Sequence, residues 1–160
     1  MEPTHPEPQQ DPRKVLITLR IIWAALLLGQ LTYLGVSLFV AGSMQQQEAS
    51  SAQVLWYVTI GGLIVLLPTA YMLRLTVYSR GRKDDAITPQ AYATGNILFW
   101  AMCEGVAMLA ITTSMLNRHQ GAYLMVAMIA FAVQVVNYPT GKLMHPPGAG
   151  DDGIHPLNKR

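Results

Sequence analysis

Long apolar runs separated by short polar segments constrain this chain more than any other feature. A helix needs about 20 mostly apolar residues to cross roughly 30 Å of hydrocarbon. Val15 to Ala41 and Val54 to Tyr78 meet that length, as does the run inside Thr88 to Leu116; Gly121 to Asn137 is shorter. The expected fold is all-α, a four-helix transmembrane bundle of two antiparallel hairpins, with spans at about 15–41, 54–78, 91–116 and 121–137. Charged residues make up only 12% of the 160, about half the usual share for a soluble domain. That excludes a water-soluble enzyme, a nucleic-acid binder and a disulfide scaffold. The lone Cys103 lies inside an apolar run and reads as a small hydrophobe.

The ends have a different composition. Residues 1–14 are rich in Pro, Glu and Gln, and 140–160 in Pro, Gly and Asp; both are expected to be disordered cytoplasmic tails. No basic stretch opens the chain, and the first apolar run is too long for a signal-peptide core, so the first helix is expected to stay as an anchor. Thr88 before Pro89 marks the start of the third helix, as N-cap and first helical residue.

Orientation follows from the basic residues. Arg13, Lys14, Arg20, Arg74, Arg80, Arg82, Lys83, Lys142, Lys159 and Arg160 fall on one side of the expected spans, and only Arg118 on the other. This asymmetry puts both termini and the middle loop, Ser79 to Ile87, in the cytoplasm, and an α-helical bundle points to an inner, cytoplasmic membrane. The aromatics fit two interfacial belts: Phe39, Trp56, Tyr57 and Tyr123 outside, and Trp23, Tyr71, Tyr78, Tyr92 and Tyr138 inside.

Glu104 is the residue that stands out. At about 1.5 Å per residue from Ala91 it lies about 20 Å deep, just past the midplane. An acid there costs on the order of 2–3 kcal/mol and is a functional-site hypothesis by default. Burial disfavours its charged form, so it is expected to be neutral at pH 7 and able to exchange a proton. Depth matching pairs it with Gln30 and with Tyr33 on the first helix, and the neighbouring Gly29 and Gly105 would let the two helices approach closely. The same pattern fits a plain packing contact. Trp100 and Met108, one turn either side of Glu104, leave open a lipid- or ligand-binding groove.

Arg74, Asn96, Gln134 and Asn137 form a second, inner polar layer. Arg74 reads either as its fixed charge or as an interfacial arginine with its head among phosphates. Pro68 removes one helical hydrogen bond and is a candidate kink. His5, His119, His145 and His155 all lie outside the spans, which excludes haem held by two membrane histidines. No metal-binding, hydrolase or phosphate-loop motif occurs, so no cofactor and no enzymatic activity are expected.

At Gly29-Gln30 and at Trp100-Ala-Met-Cys-Glu104-Gly105-Val-Ala107 the chain resembles an uncharacterised group of small bacterial four-helix integral membrane proteins. These are distantly similar to the proteolipid (c) subunits of rotary ATPases. The resemblance implies that Glu104 corresponds to the ion-carrying carboxylate and Gln30 to its silent counterpart. The chain differs from true proteolipids in lacking a glycine-repeat first helix and in carrying its acid on the first helix of a hairpin. Two functions are expected from these readings. The first is a structural or assembly subunit of a membrane complex, with a central Glu104/Gln30 contact and with the lipid bilayer and either further copies or other membrane subunits as partners. The second is proton or cation translocation with Glu104 as carrier.

Overall fold

The computed structural model describes residues 11–43, 52–83, 85–116 and 120–144. Residues 1–10 and 145–160, most of the first loop, and Asn117 to His119 lie outside the described residues, and with them most of both expected tails. Four helices follow in order: α1 (Pro12–Ser43), α2 (Ala52–Arg80), α3 (Pro89–Leu116) and α4 (Gln120–Val136). A two-stranded ribbon, β1 (Arg82–Lys83) and β2 (Ala86–Ile87), joins α2 to α3, and one 3-10 turn, Lys142–Met144, follows α4. Among the described residues the fold is an all-α bundle. α1, α2 and α3 are long and apolar enough to cross a membrane, while α4, at 17 residues, is shorter.

Local chemistry explains the helix starts. Asp11 caps α1 by accepting the Arg13 N–H at 3.0 Å, and Thr88 does the same for Ala91 in α3 at 3.4 Å. Pro12 and Pro89 each take the first helical position, where the missing N–H has no intrahelical partner. α2 runs through Pro68 without a break, and the Thr69 hydroxyl donates to the Val65 carbonyl at 2.6 Å. In the ribbon Arg82 pairs with Ile87 and Lys83 with Ala86. Asp85 takes the left-handed φ of 63° that this tight turn requires and that aspartate tolerates.

The helices alternate in direction, and α3 is the hub. It packs against α2, α4 and α1, whereas α1 and α2 hardly meet. The expected first hairpin is therefore a pair only in sequence; α1 docks on α3 instead. Two apolar clusters fill the interior. One gathers Leu19, Tyr78, Tyr92, Phe99, Trp100 and Cys103, and the other Val106, Ala110, Ile111, Val126 and Ala130. Among the described glycines inside a helix, the closest packing is at Gly95 of α3, where a Cβ would lie 2.6 Å from the Tyr78 ring of α2.

Three expectations need correction. Tyr78, Tyr92 and Tyr123 do not sit in outward-facing belts; all three are buried in the bundle. Their rings find partners on other helices: Tyr78 stacks on Tyr92 at 5.7 Å, and Tyr123 meets Trp56 edge-on at 5.3 Å. Sequence depth places a ring along the helix but not around it. The C-terminal tail also begins later than residue 140, because Pro139, Gly141 and Met144 are buried against the bundle. Finally, Gly29 and Gly105 are not where α1 and α3 approach each other. A Cβ at either would meet nothing within 4 Å.

Candidate functional site

The inner polar layer is assembled from all four helices, and its centre is the end of α4. That helix stops early: Asn137, just beyond it, lies level with Trp100, whose indole N–H donates to the Asn137 carbonyl at 3.3 Å. Trp100 is eleven residues into α3, about 16 Å from its start at 1.5 Å per residue. The last carbonyls of a helix have no intrahelical donor and need other partners. Here they find them. The Trp23 indole N–H donates to the Gln134 carbonyl at 3.0 Å, and the Val133 carbonyl accepts the Asn137 side-chain amide at 2.8 Å beside the Asn137 main-chain N–H at 3.2 Å.

Arg74 completes this cap. Its Nη1 donates to Asn137 Oδ1 at 2.7 Å and its Nε to the Tyr78 hydroxyl at 2.9 Å. The guanidinium also lies over the Tyr78 and Phe99 rings, 5.3 and 5.2 Å from their centroids. A cation here offsets the negative end of the α4 dipole, and the aromatic faces add to that. Of the two readings of Arg74, the inward one holds. Asn96 joins by donating to the same Tyr78 hydroxyl at 2.8 Å.

Beyond Asn137 the backbone is irregular as far as the 3-10 turn. Gly141 has a φ of +78°, which favours glycine, and its N–H donates to the buried Tyr92 hydroxyl at 3.1 Å. Tyr92 and the buried Pro139 cover this irregular backbone.

Gln30 belongs to this assembly and not to Glu104. Its Nε2 donates to Gln134 Oε1 at 2.6 Å, inside the bundle. The expected Gln30–Glu104 contact is therefore absent, because equal depth does not imply a shared azimuth: Gln30 turns to the α4 side of α1. Tyr33 likewise bonds Thr112, at 2.9 Å, and not the carboxyl. Gln30 Oε1, Gln134 Nε2, Asn96 Oδ1 and Ser37 Oγ are the buried side-chain atoms without a hydrogen bond among the described residues.

Glu104 stands elsewhere. Ile97, Ala101, Gly105, Met108 and Thr112 recur every three or four residues and form one outward stripe of α3, with Glu104 half-buried along its edge. Since α1 and α2 hardly meet, the stripe from Ile97 to Met108 lies on the side of the hub that no described helix covers, while Thr112 at its far end bonds Tyr33 of α1. Among the described residues Glu104 makes no hydrogen bond and no ion pair. Trp100 does not share this surface. It is wholly buried on the other side of the carboxyl, so the Trp100–Met108 groove is not formed.

Sequence reasoning found Arg74, Asn96, Gln134 and Asn137 but missed Tyr78, Tyr92, Trp23 and Trp100 as their partners. The available signal was spacing. Arg74 and Tyr78, like Tyr92 and Asn96, are four residues apart and so share a helix face. Comparison with protein-family models, with curated proteins and with solved structures finds no match.

Proposed function

We propose that the chain is a small polytopic membrane subunit without catalytic machinery, which joins further membrane helices through the open stripe of α3. The observation that carries this reading is Glu104, an acid midway along an apolar helix, half-buried and with no partner among the described residues. Hydrocarbon gives such a group nothing to bond, so it favours a neighbour that brings a donor. The interior polar groups contribute little to recognition, since they are buried inside the bundle. The small residues Ala101 and Gly105 beside Glu104 leave room for close helix contact. The neighbour is a second copy or another membrane subunit.

In this reading α4 crosses with the other three helices, and Tyr138 to Met144 complete its span. The basic end of the bundle, with Arg13, Lys14, Arg80, Arg82, Lys83 and Lys142, faces the cytoplasm. Both termini then lie there, in an inner membrane. The test is assembly state in native membranes, read on native gels of gently solubilised material. Glu104→Gln keeps the hydrogen bonds and the assembled species; Glu104→Leu loses them. An unchanged assembly in Glu104→Leu would overturn the proposal.

A second reading, proton or cation carriage in an oligomer, is favoured by the same unpartnered carboxyl and by the proteolipid resemblance. It adds a prediction that a packing contact does not make: Glu104→Gln abolishes proton flux into vesicles while assembly persists. Carbodiimide labelling of Glu104 that continues to pH 7 or above supports this reading, and its absence at every pH from 5 to 9 counts against it.

A further inference from the structure

We infer that the basic end of the bundle carries a binding cleft for one anionic phospholipid of the adjacent leaflet. The cleft, about 650 Å³, opens where the end of α2, the β-ribbon and the 3-10 turn converge. Its walls divide by chemistry. Leu75, Ile87 and Leu143 form an apolar side, while Arg82 and Lys142 bring cations from two separate segments. Asp85 also lines it, 3.9 Å from Arg82 in a solvent-exposed pair that contributes little. Two cations against one carboxylate leave the cleft positive.

Three features single out a lipid over a soluble anion. Leu75 and Leu143 are about half exposed, so the apolar wall is open and not sealed in the core. That wall is continuous with the outward face of α2, where Tyr71 and Met72 are also exposed. An acyl chain lying along α2 therefore reaches the cleft without leaving apolar surface. The cations sit at the basic end of the bundle, the level at which a phosphate lies when the helices span a bilayer. In this arrangement the phosphate binds between Arg82 and Lys142, and the chains run past Leu75 and Leu143. Basic pockets beside membrane helices bind acidic headgroups in this way. The inference needs the chain to lie in a membrane but does not depend on what Glu104 does.

The test uses the full chain in nanodiscs with equal amounts of phosphatidylglycerol and phosphatidylcholine of the same acyl composition. Lipids that stay bound on extraction into detergent are counted by native mass spectrometry. The expected result is one phosphatidylglycerol retained in preference to phosphatidylcholine. Each cation near a membrane surface adds about a fivefold preference, so Arg82→Gln and Lys142→Gln each lower the ratio about fivefold, and Asp85→Asn raises it. These side chains are exposed, and an unchanged thermal midpoint confirms that the variants fold. Lys14→Gln, at the same end but outside the cleft, leaves the ratio unchanged. Equal retention of the two lipids would overturn the inference, as would an equal loss in Lys14→Gln, which would mean diffuse surface charge. Displacement of the bound species by inorganic phosphate would assign the cleft to a soluble anion and overturn it as well.

Discussion

Replacing Gln134 by leucine removes the acceptor that holds the Gln30 amide at 2.6 Å. Both residues are buried, and Gln30 Oε1 already has no partner, so the variant leaves Gln30 with neither polar end satisfied. A buried polar group without a partner costs about 1–3 kcal/mol. Bonds between membrane helices average about 0.6 kcal/mol and reach about 1.7. Each substitution also deletes one atom that was unsatisfied from the start, which offsets part of the loss. Each single leucine variant is therefore expected to lose about 1 kcal/mol of stability. The double variant Gln30→Leu/Gln134→Leu deletes the bond and every unsatisfied atom of the pair together. The Trp23 indole keeps its bond, because its acceptor is the Gln134 main chain. The double variant is thus expected at or above the parent, with a coupling of about 2 kcal/mol. Reversible unfolding in mixed micelles at increasing dodecyl sulfate fraction, followed by far-ultraviolet circular dichroism, measures all four proteins. Strictly additive losses, with coupling under about 0.3 kcal/mol, would refute the reasoning.

The same unfolding assay checks three further outcomes. Gly95→Ala drives a methyl into the Tyr78 ring, which is held by Arg74, Asn96 and the Tyr92 stack, and is expected to lose about 1–3 kcal/mol; Gly29→Ala, with open space around it, loses nothing. Arg74→Leu strips the Tyr78 hydroxyl and Asn137 Oδ1 of their charged donor, with an expected loss of about 2–3 kcal/mol and faster hydrogen exchange at the end of α4. Met144→Ala is expected to lose about 2 kcal/mol, because the side chain is buried with Leu19 and Phe99, whereas the exposed Leu143→Ala stays within the error of the measurement.

Depth along each helix was legible in the sequence. Apolar run length located α1, α2 and α3 to within a few residues, and Thr88-Pro89 marked the start of α3. The missed feature at α1 was of the same kind, the Asp11-Pro12 cap that begins the helix before Val15. The end of α4 was legible as well, at 137 against the observed Val136, but its level in the bundle was not. Asn137-Tyr138-Pro139 announced a stop, but only the bundle shows that this stop lies level with Trp100 and that the next residues fold back to bury Met144.

Azimuth was decided by packing. Gln30 and Glu104 share a depth, yet one faces α4 and the other the uncovered side of α3, and no one-dimensional count separates those directions. The aromatics show the same limit: Tyr78, Tyr92 and Tyr123 lie near the ends of their runs as belt residues do, yet their neighbours draw them into the core. What the sequence by itself determined is the number, length and polarity of the helices and the rarity of Glu104, because apolar length and isolated charge are properties of a single strand of text. Only the tertiary structure decided that α3 is the hub, that the inner polar residues cap a short helix, and that Glu104 meets no partner among the described residues. Those facts depend on rotation about helix axes and on which helices meet, and both are set by the sum of many weak side-chain contacts.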